Sequence, residues 1–165
     1  MTGKYDYDVV VLGGGPGGYV AAIKAAQCGK KTAVIEKGSF GGTCLHVGCI
    51  PTKALVKTVN VFEEIKRSSE FAIEGIDMSA VRVSMTQLQK RKQKIVKQLV
   101  GGVNGLLKGN KVDIIKGTAA FVDAHTVKTE DKTVSSEFFI IATGSEAFMP
   151  GFIEYEGNTK IITST

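Results

Sequence analysis

Residues 7–36 read YDVVVLGGGPGGYVAAIKAAQCGKKTAVIE, and the order of residue types in this stretch decides the fold. Tyr7 to Leu12 is a nearly continuous apolar run, the pattern of a strand buried on both faces of a parallel sheet. Glycines follow at once, and Gly13, Gly15 and Gly18 fit G-x-G-x-x-G in its required place between a strand and a helix. Gly13 permits the tight turn, Gly15 lets a pyrophosphate approach the backbone, and Gly18 lets the helix lie close to the strand. Pro16 suits a first helical turn, and the helix through Tyr19, Val20, Ala22, Ile23 and Ala26 stops at Gly29. Its N-terminus, with free amides and the positive dipole end, is an anion site. The second strand, Thr32 to Ile35, ends at Glu36, a carboxylate 18 residues beyond Gly18. An acid in that place accepts hydrogen bonds from ribose hydroxyls and repels a 2′-phosphate. Strand, glycines, helix, strand and acid in this order specify a dinucleotide-binding α/β unit, without saying whether the adenosine belongs to FAD or to NAD.

Working outward, Gly41 to Lys53 reads GGTCLHVGCIPTK and sets Cys44 and Cys49 five residues apart. Two cysteines can be no more than small buried hydrophobes. A metal site is disfavoured, because only Cys28, His46 and His125 remain as soft ligands and none stands at zinc-site spacing. A disulfide needs Cα atoms within about 7 Å. Positions i and i+5 of a regular helix lie roughly 8 to 9 Å apart. A bond here therefore calls for a distorted first helical turn, which Gly48 and Pro51 permit. Such a bond would be reducible, which suits a working disulfide better than a structural one.

At 165 residues the chain can bury one proper core. Its 43% hydrophobic and 22% charged content is that of an ordinary globular protein, and 20 glycines against 3 prolines suit an α/β chain with many tight turns. No targeting or membrane segment is visible, because the apolar run at Val9 to Leu12 leads straight into glycines. A soluble, cytoplasmic protein is expected, in which cysteines are reduced unless they work in redox chemistry. The net charge of +5 gathers at Lys90, Arg91, Lys92, Lys94 and Lys97. Leu88, Ile95, Leu99, Val103, Leu106 and Leu107 recur at helical spacing around them, so the basic residues form the solvated back of an amphipathic helix. No aromatics interleave to stack on bases, which argues against a nucleic-acid surface.

Beyond Thr52, residues Ala54, Leu55, Val59, Phe62 and Ile65 continue a long helix. Its N-terminal end would lower a thiolate pKa. Residues 67–84 are polar and irregular, and a helix from Thr86 to Lys108 follows, with a break or bend expected at Gly101 and Gly102. Val112 to Ile115 reads as a third parallel strand. Residues 119–139 carry short strands around turns at Asp123 and at Glu130 to Lys132, a small antiparallel meander. FIIATGS then forms an apolar strand ending at Ala142, Thr143 and Gly144, and a proline- and glycine-marked stretch runs from Glu146 to IITST at the end.

GGGPGGYVAAIKAAQCGKKTAVIEKG followed at once by GGTCLHVGCIPTKAL resembles the N-terminal part of the flavin-dependent disulfide reductases, most closely the dihydrolipoamide dehydrogenase family. The resemblance implies a Rossmann-like FAD-binding domain with a parallel sheet, a helical crossover and a β-meander. It implies that Gly13, Gly15, Pro16, Gly18, Glu36 and Lys37 bind FAD, with Gly42, Thr43 and Cys44 beside it. Gly117 would touch the adenine, and the Ala142–Thr143–Gly144 bend would pass close to the cofactor. It also implies that Cys44 and Cys49 form the redox disulfide, Cys44 as the interchange thiol and Cys49 as the charge donor to the flavin, with Lys53 near the flavin. Residues 1–165 would be the N-terminal portion of the FAD-binding domain, with the NAD-binding and interface domains, the later G-D motif and the acid/base histidine absent. Neither His46 nor His125 matches that histidine. The parent enzyme would oxidise dihydrolipoyl groups with NAD+ as final acceptor, as a homodimer serving lipoyl domains of 2-oxo acid dehydrogenase or glycine cleavage complexes. Glutathione or mercuric reductase, or a non-catalytic module that binds FAD or another adenine nucleotide, are the competing readings. Little turnover is expected of this chain alone.

Overall fold

The computed structural model describes residues 4–153. Strand β1 spans Tyr7–Leu12, helix α1 Pro16–Gln27 and strand β2 Thr32–Glu36. Next come helices α2 (Gly42–His46) and α3 (Cys49–Lys66), a 3₁₀ turn at Ser68–Phe71, and helix α4 (Met85–Gly109). Strands β3 (Asp113–Lys116), β4 (Ala120–Asp123), β5 (Thr126–Lys128) and β6 (Thr133–Ile141) complete the order. The six strands form one sheet in the order β3-β2-β1-β6-β5-β4. β1 lies parallel to both β2 and β6, and β2 parallel to β3. β5 pairs antiparallel with β4 and with the first residues of β6. This is the expected strand–helix–strand unit with its long helical crossover and a three-stranded meander, a Rossmann-like arrangement. The expected final stretch ending in IITST lies outside the described residues.

Burial explains why β1 and β2 read as unbroken apolar runs. Val9, Val11 and Val34 face α1 and α4, where Ala22, Val103 and Leu107 close one core layer. Val10, Leu12, Ala33 and Ile35 face the other way and are covered by Val127 and Val134 of the meander. Val9 to Leu12 and Ala33 to Ile35 are thus each needed on one side or the other, and the polar residues Asp8, Thr32 and Glu36 fall toward the strand ends.

Two readings of α4 are corrected. The helix runs unbroken from Met85 to Gly109 through Gly101 and Gly102. An interior glycine costs only about 1 kcal/mol relative to alanine, and the packing of Val103 and Leu107 outweighs it. The buried stripe also differs: Leu99 and Leu106 are exposed, whereas Val96 and Val100 pack on the core beside Val103 and Leu107. Those four positions follow a spacing of four, three and four. Arg91, on the basic back, donates to the carbonyl of Ala54 at 2.8 Å and ties α4 to α3. Among the described residues no helix is long and apolar enough to cross a membrane.

Candidate functional site

The chain reverses direction across the sheet at β1, with β2 on one side and β6 on the other. Ligands of open α/β sheets bind outside the carboxyl ends of strands at such a switch point. A cleft of about 740 Å³ lies there, lined by the residues that follow β1, β2, β3 and β6.

Its floor is the glycine loop. Gly13 has φ +106° and donates to the carbonyl of Ile35 at 2.8 Å, and a Cβ on it would collide with the carbonyl oxygen of Ala142. A Cβ on Gly18 would collide with the carbonyl oxygen of Gly13, so the helix can meet the strand only through glycine. Gly15 and Gly17 differ from these. A Cβ on Gly15 would meet only Gly42 Cα at 3.7 Å, and one on Gly17 would meet nothing within 4 Å. Packing within the protein does not require glycine at either position, yet both line the cleft. The bare backbone leaves room for a ligand. Helix α1 starts here with Pro16 in its first turn, no side-chain cap and no acidic residue. These features fit the diphosphate of a dinucleotide, so the residues present suit FAD.

Glu36 braces the loop as well as lining the cleft. One carboxylate oxygen accepts from the Gly14 amide at 2.6 Å and the other from the Gly38 amide at 2.7 Å. A carboxylate offers about four lone-pair sites, so acceptor capacity remains on the cleft side. Lys37 and Glu146 meet at 3.4 Å, and both line the cleft. The far wall is Gly117 (φ +138°), Thr118 and Ala119, with Gly117 donating to the carbonyl of Glu36 at 3.1 Å. Ala142 donates to the carbonyl of Leu12 at 2.8 Å, which sets the Ala142–Thr143–Gly144 bend against the glycine loop.

The cysteine pair is built differently from a distorted helix. Two separate helices meet at Val47 and Gly48, and Cys44 and Cys49 form a disulfide with Cα atoms 4.6 Å apart. A Cβ on Gly48 would lie 3.0 Å from the Thr43 carbonyl oxygen and 3.2 Å from Cys44 Cα, so glycine lets the second helix start close to the first. Thr52 ties the first turn of α3 back to the junction, its hydroxyl donating to the Gly48 carbonyl at 2.7 Å. At the start of α2, a Cβ on Gly42 would lie 2.8 Å from Gly15 Cα. The disulfide-bearing turn thus rests directly on the glycine loop.

Of the residues singled out in the sequence, Gly13, Gly15, Pro16, Glu36, Lys37, Gly42, Thr43, Cys44, Gly117, Ala142, Thr143 and Gly144 line one cleft. Gly18 lies beneath the floor, Cys49 is exposed at the first position of α3, and Lys53 is exposed one turn further on; none of the three lines the cleft. Thr118, Ala119, Ser145 and Glu146 line it without any signal in the sequence beyond their nearness to Gly117 and Gly144. His46 contacts the Phe40 carbonyl at 3.0 Å, and His125 contacts that of Ser136 at 3.0 Å while stacking on Tyr5. Cys28 is a free, exposed cysteine.

A dinucleotide-type cleft joined through backbone to a disulfide defines an α/β redox domain. Residues 7–165 match the family model described as pyridine nucleotide-disulphide oxidoreductase, and the chain belongs to that family. It is 47% identical over 163 residues to a dihydrolipoyl dehydrogenase of Geobacillus stearothermophilus, covering 96% of this chain and 33% of that protein. The mitochondrial dihydrolipoyl dehydrogenase of Schizosaccharomyces pombe is 45% identical over 172 residues, covering 99% of this chain and 33% of that protein. A leghemoglobin reductase of Vigna unguiculata is 46% identical over 171 residues, covering 99% of this chain and 32% of that protein. The chain thus spans about a third of the length of the curated relatives it matches.

Proposed function

We propose that this chain is the disulfide-bearing, FAD-binding part of a dihydrolipoyl dehydrogenase. The observation that carries this reading is the close approach of Gly42 to Gly15, which sets the Cys44–Cys49 turn directly against the nucleotide cleft. Gly13, Gly15, Pro16 and the α1 N-terminus would hold the diphosphate, Glu36 and Lys37 the ribose, Gly117 the adenine, and the 142–144 bend and Thr43 the remainder. Bound FAD supplies the two-electron acceptor for the cysteine pair, with NAD+ as final acceptor in the longer parent.

The chain's own chemistry is thiol–disulfide exchange. A substrate thiolate attacks the Cys44 sulfur, forms a mixed disulfide and expels Cys49 as thiolate. The second substrate thiol, as thiolate, then displaces Cys44, so the substrate leaves as a disulfide and both cysteines stay reduced. Cys49 is the first residue of the 18-residue helix α3, whose positive end stabilises a departing thiolate. Attack needs a proton acceptor. His46 and His125 are both engaged with backbone carbonyls, so neither is offered as that base, and turnover by the chain alone should be negligible. The parent's homodimeric state, its lipoyl-domain partners and a cytoplasmic setting belong to the same proposal.

The test is the visible absorption spectrum of the purified chain with FAD, before and after reduced lipoamide. A flavin spectrum that gains a long-wavelength thiolate-to-flavin band is expected. By the family resemblance the band should persist in Cys44→Ser and vanish in Cys49→Ser; Cys44 is the cysteine that lines the cleft, and the opposite pattern would exchange the two roles. Flavin bound with no band in any form would reduce the chain to a nucleotide-binding module, and a colourless protein would overturn the reading.

A further inference from the structure

The wall of the cleft opposite the glycine loop is three residues long, and it belongs to no helix or strand. Gly117, Thr118 and Ala119 link β3 to β4 and line the cleft. An isolated linker of this kind would wander unless its amides were held. Gly117 is held at one end by its hydrogen bond to the Glu36 carbonyl. At the middle of the linker the Thr118 amide donates to the side chain of Glu130, at 3.0 Å to Oε2 and 3.4 Å to Oε1.

Glu130 comes from the tight turn between β5 and β6, and that turn is itself braced. The Thr129 amide donates to the Lys132 carbonyl at 2.7 Å, the Lys132 amide to the Thr129 hydroxyl at 3.1 Å, and that hydroxyl to the Lys132 carbonyl at 3.2 Å. A fixed turn therefore carries a carboxylate back across 12 residues to the cleft wall. The close fit extends to Gly117, where a Cβ would lie 2.5 Å from Glu130 Oε2 and 3.1 Å from Thr129 Cβ, so a larger residue there would have to displace the carboxylate from its place beside Thr118. Hydrogen bonds from its own amide and from that of Thr118 hold the Glu130 carboxyl below its ordinary pKa, so the acceptor stays ionised at neutral pH.

We infer that Glu130 is a positioning residue for the nucleotide: it fixes the Gly117–Ala119 wall against which the adenosine end of the ligand packs, without lining the cleft itself. This rests on the FAD reading proposed above. The meander then has a purpose beyond covering the sheet, because its β5–β6 turn sets one wall of the binding site.

The experiment compares the wild-type chain with Glu130→Ala and Glu130→Gln. Without ligand, amide hydrogen exchange at Thr118 should speed up in Glu130→Ala and stay close to wild type in Glu130→Gln, whose amide oxygen still accepts. Affinities for FAD and ADP should fall about fivefold in Glu130→Ala, the scale of one lost hydrogen bond, and recover most of the way in Glu130→Gln. Inorganic pyrophosphate, which engages the glycine loop alone, should bind wild type and Glu130→Ala equally. Unchanged Thr118 exchange, or an equal loss for pyrophosphate, would overturn the inference. Thr118 exchange that responds in a wild-type background that binds neither FAD nor ADP would instead overturn the cofactor reading and leave Glu130 as a brace of the loop alone.

Discussion

Two glycine-rich stretches, Gly13 to Gly18 and Gly101 to Gly105, look alike on paper and behave oppositely in the fold. In the first, methyl groups on Gly13 or Gly18 would strike backbone carbonyl oxygens, which cannot move without moving the sheet. In the second, methyl groups on Gly101, Gly102 or Gly105 would meet nothing within 4 Å. The difference teaches that a glycine's importance is set by what its missing side chain would touch. The stretch between the cysteines is intermediate, since Gly48 faces the backbone of Thr43 and Cys44 at distances a small shift can relieve.

This ranking can be broken or sharpened by alanine substitution, measured as shifts in urea unfolding. Gly18→Ala should have the largest effect, a loss of about 3 kcal/mol, because overpacking against backbone has no cheap relaxation. An unfolding curve unchanged from wild type would show that α1 does not rest on β1 as described. Gly48→Ala should cost about 1 kcal/mol by pushing the α2–α3 junction open. The same variant should re-form the Cys44–Cys49 disulfide more slowly after reduction, followed by thiol labelling. Gly101→Ala should have the smallest effect and the opposite sign, a gain of about 0.5–1 kcal/mol from better helix propensity. A loss there would mean that the middle of α4 is bent after all.

The legibility of the molecule follows the same logic. Strand β1 was readable to the residue, and α1 and β2 nearly so, because burial on both faces and glycine punctuation leave few alternatives. The sequence reading of α4 failed at Gly101 because local propensity was allowed to outweigh the packing of Val103 and Leu107. At the cysteines the two thiols were visible, but their geometry was not. A regular helix would have kept them apart, and two short-coupled helices bring the Cα atoms to 4.6 Å. The family resemblance alone puts Lys53 near the flavin, while its position on a helix reads as solvated; it is exposed on α3 and does not line the cleft.

By itself the sequence determined the dinucleotide unit, its glycine loop, the acid at the end of β2 and the nearness of two cysteines, since these are local patterns with one sterically allowed outcome. Only the tertiary structure decided that Glu36 spends two lone pairs on the amides of Gly14 and Gly38, that Gly42 sits on Gly15, and that Glu130 reaches Thr118. Apart from the local Glu36–Gly38 bond, those contacts join residues 12 to 27 positions apart in the chain, and each depends on how strands pair and helices pack. No periodicity encodes them, because hydrogen-bond partners so far apart are chosen by the folded geometry and not by neighbours in the chain.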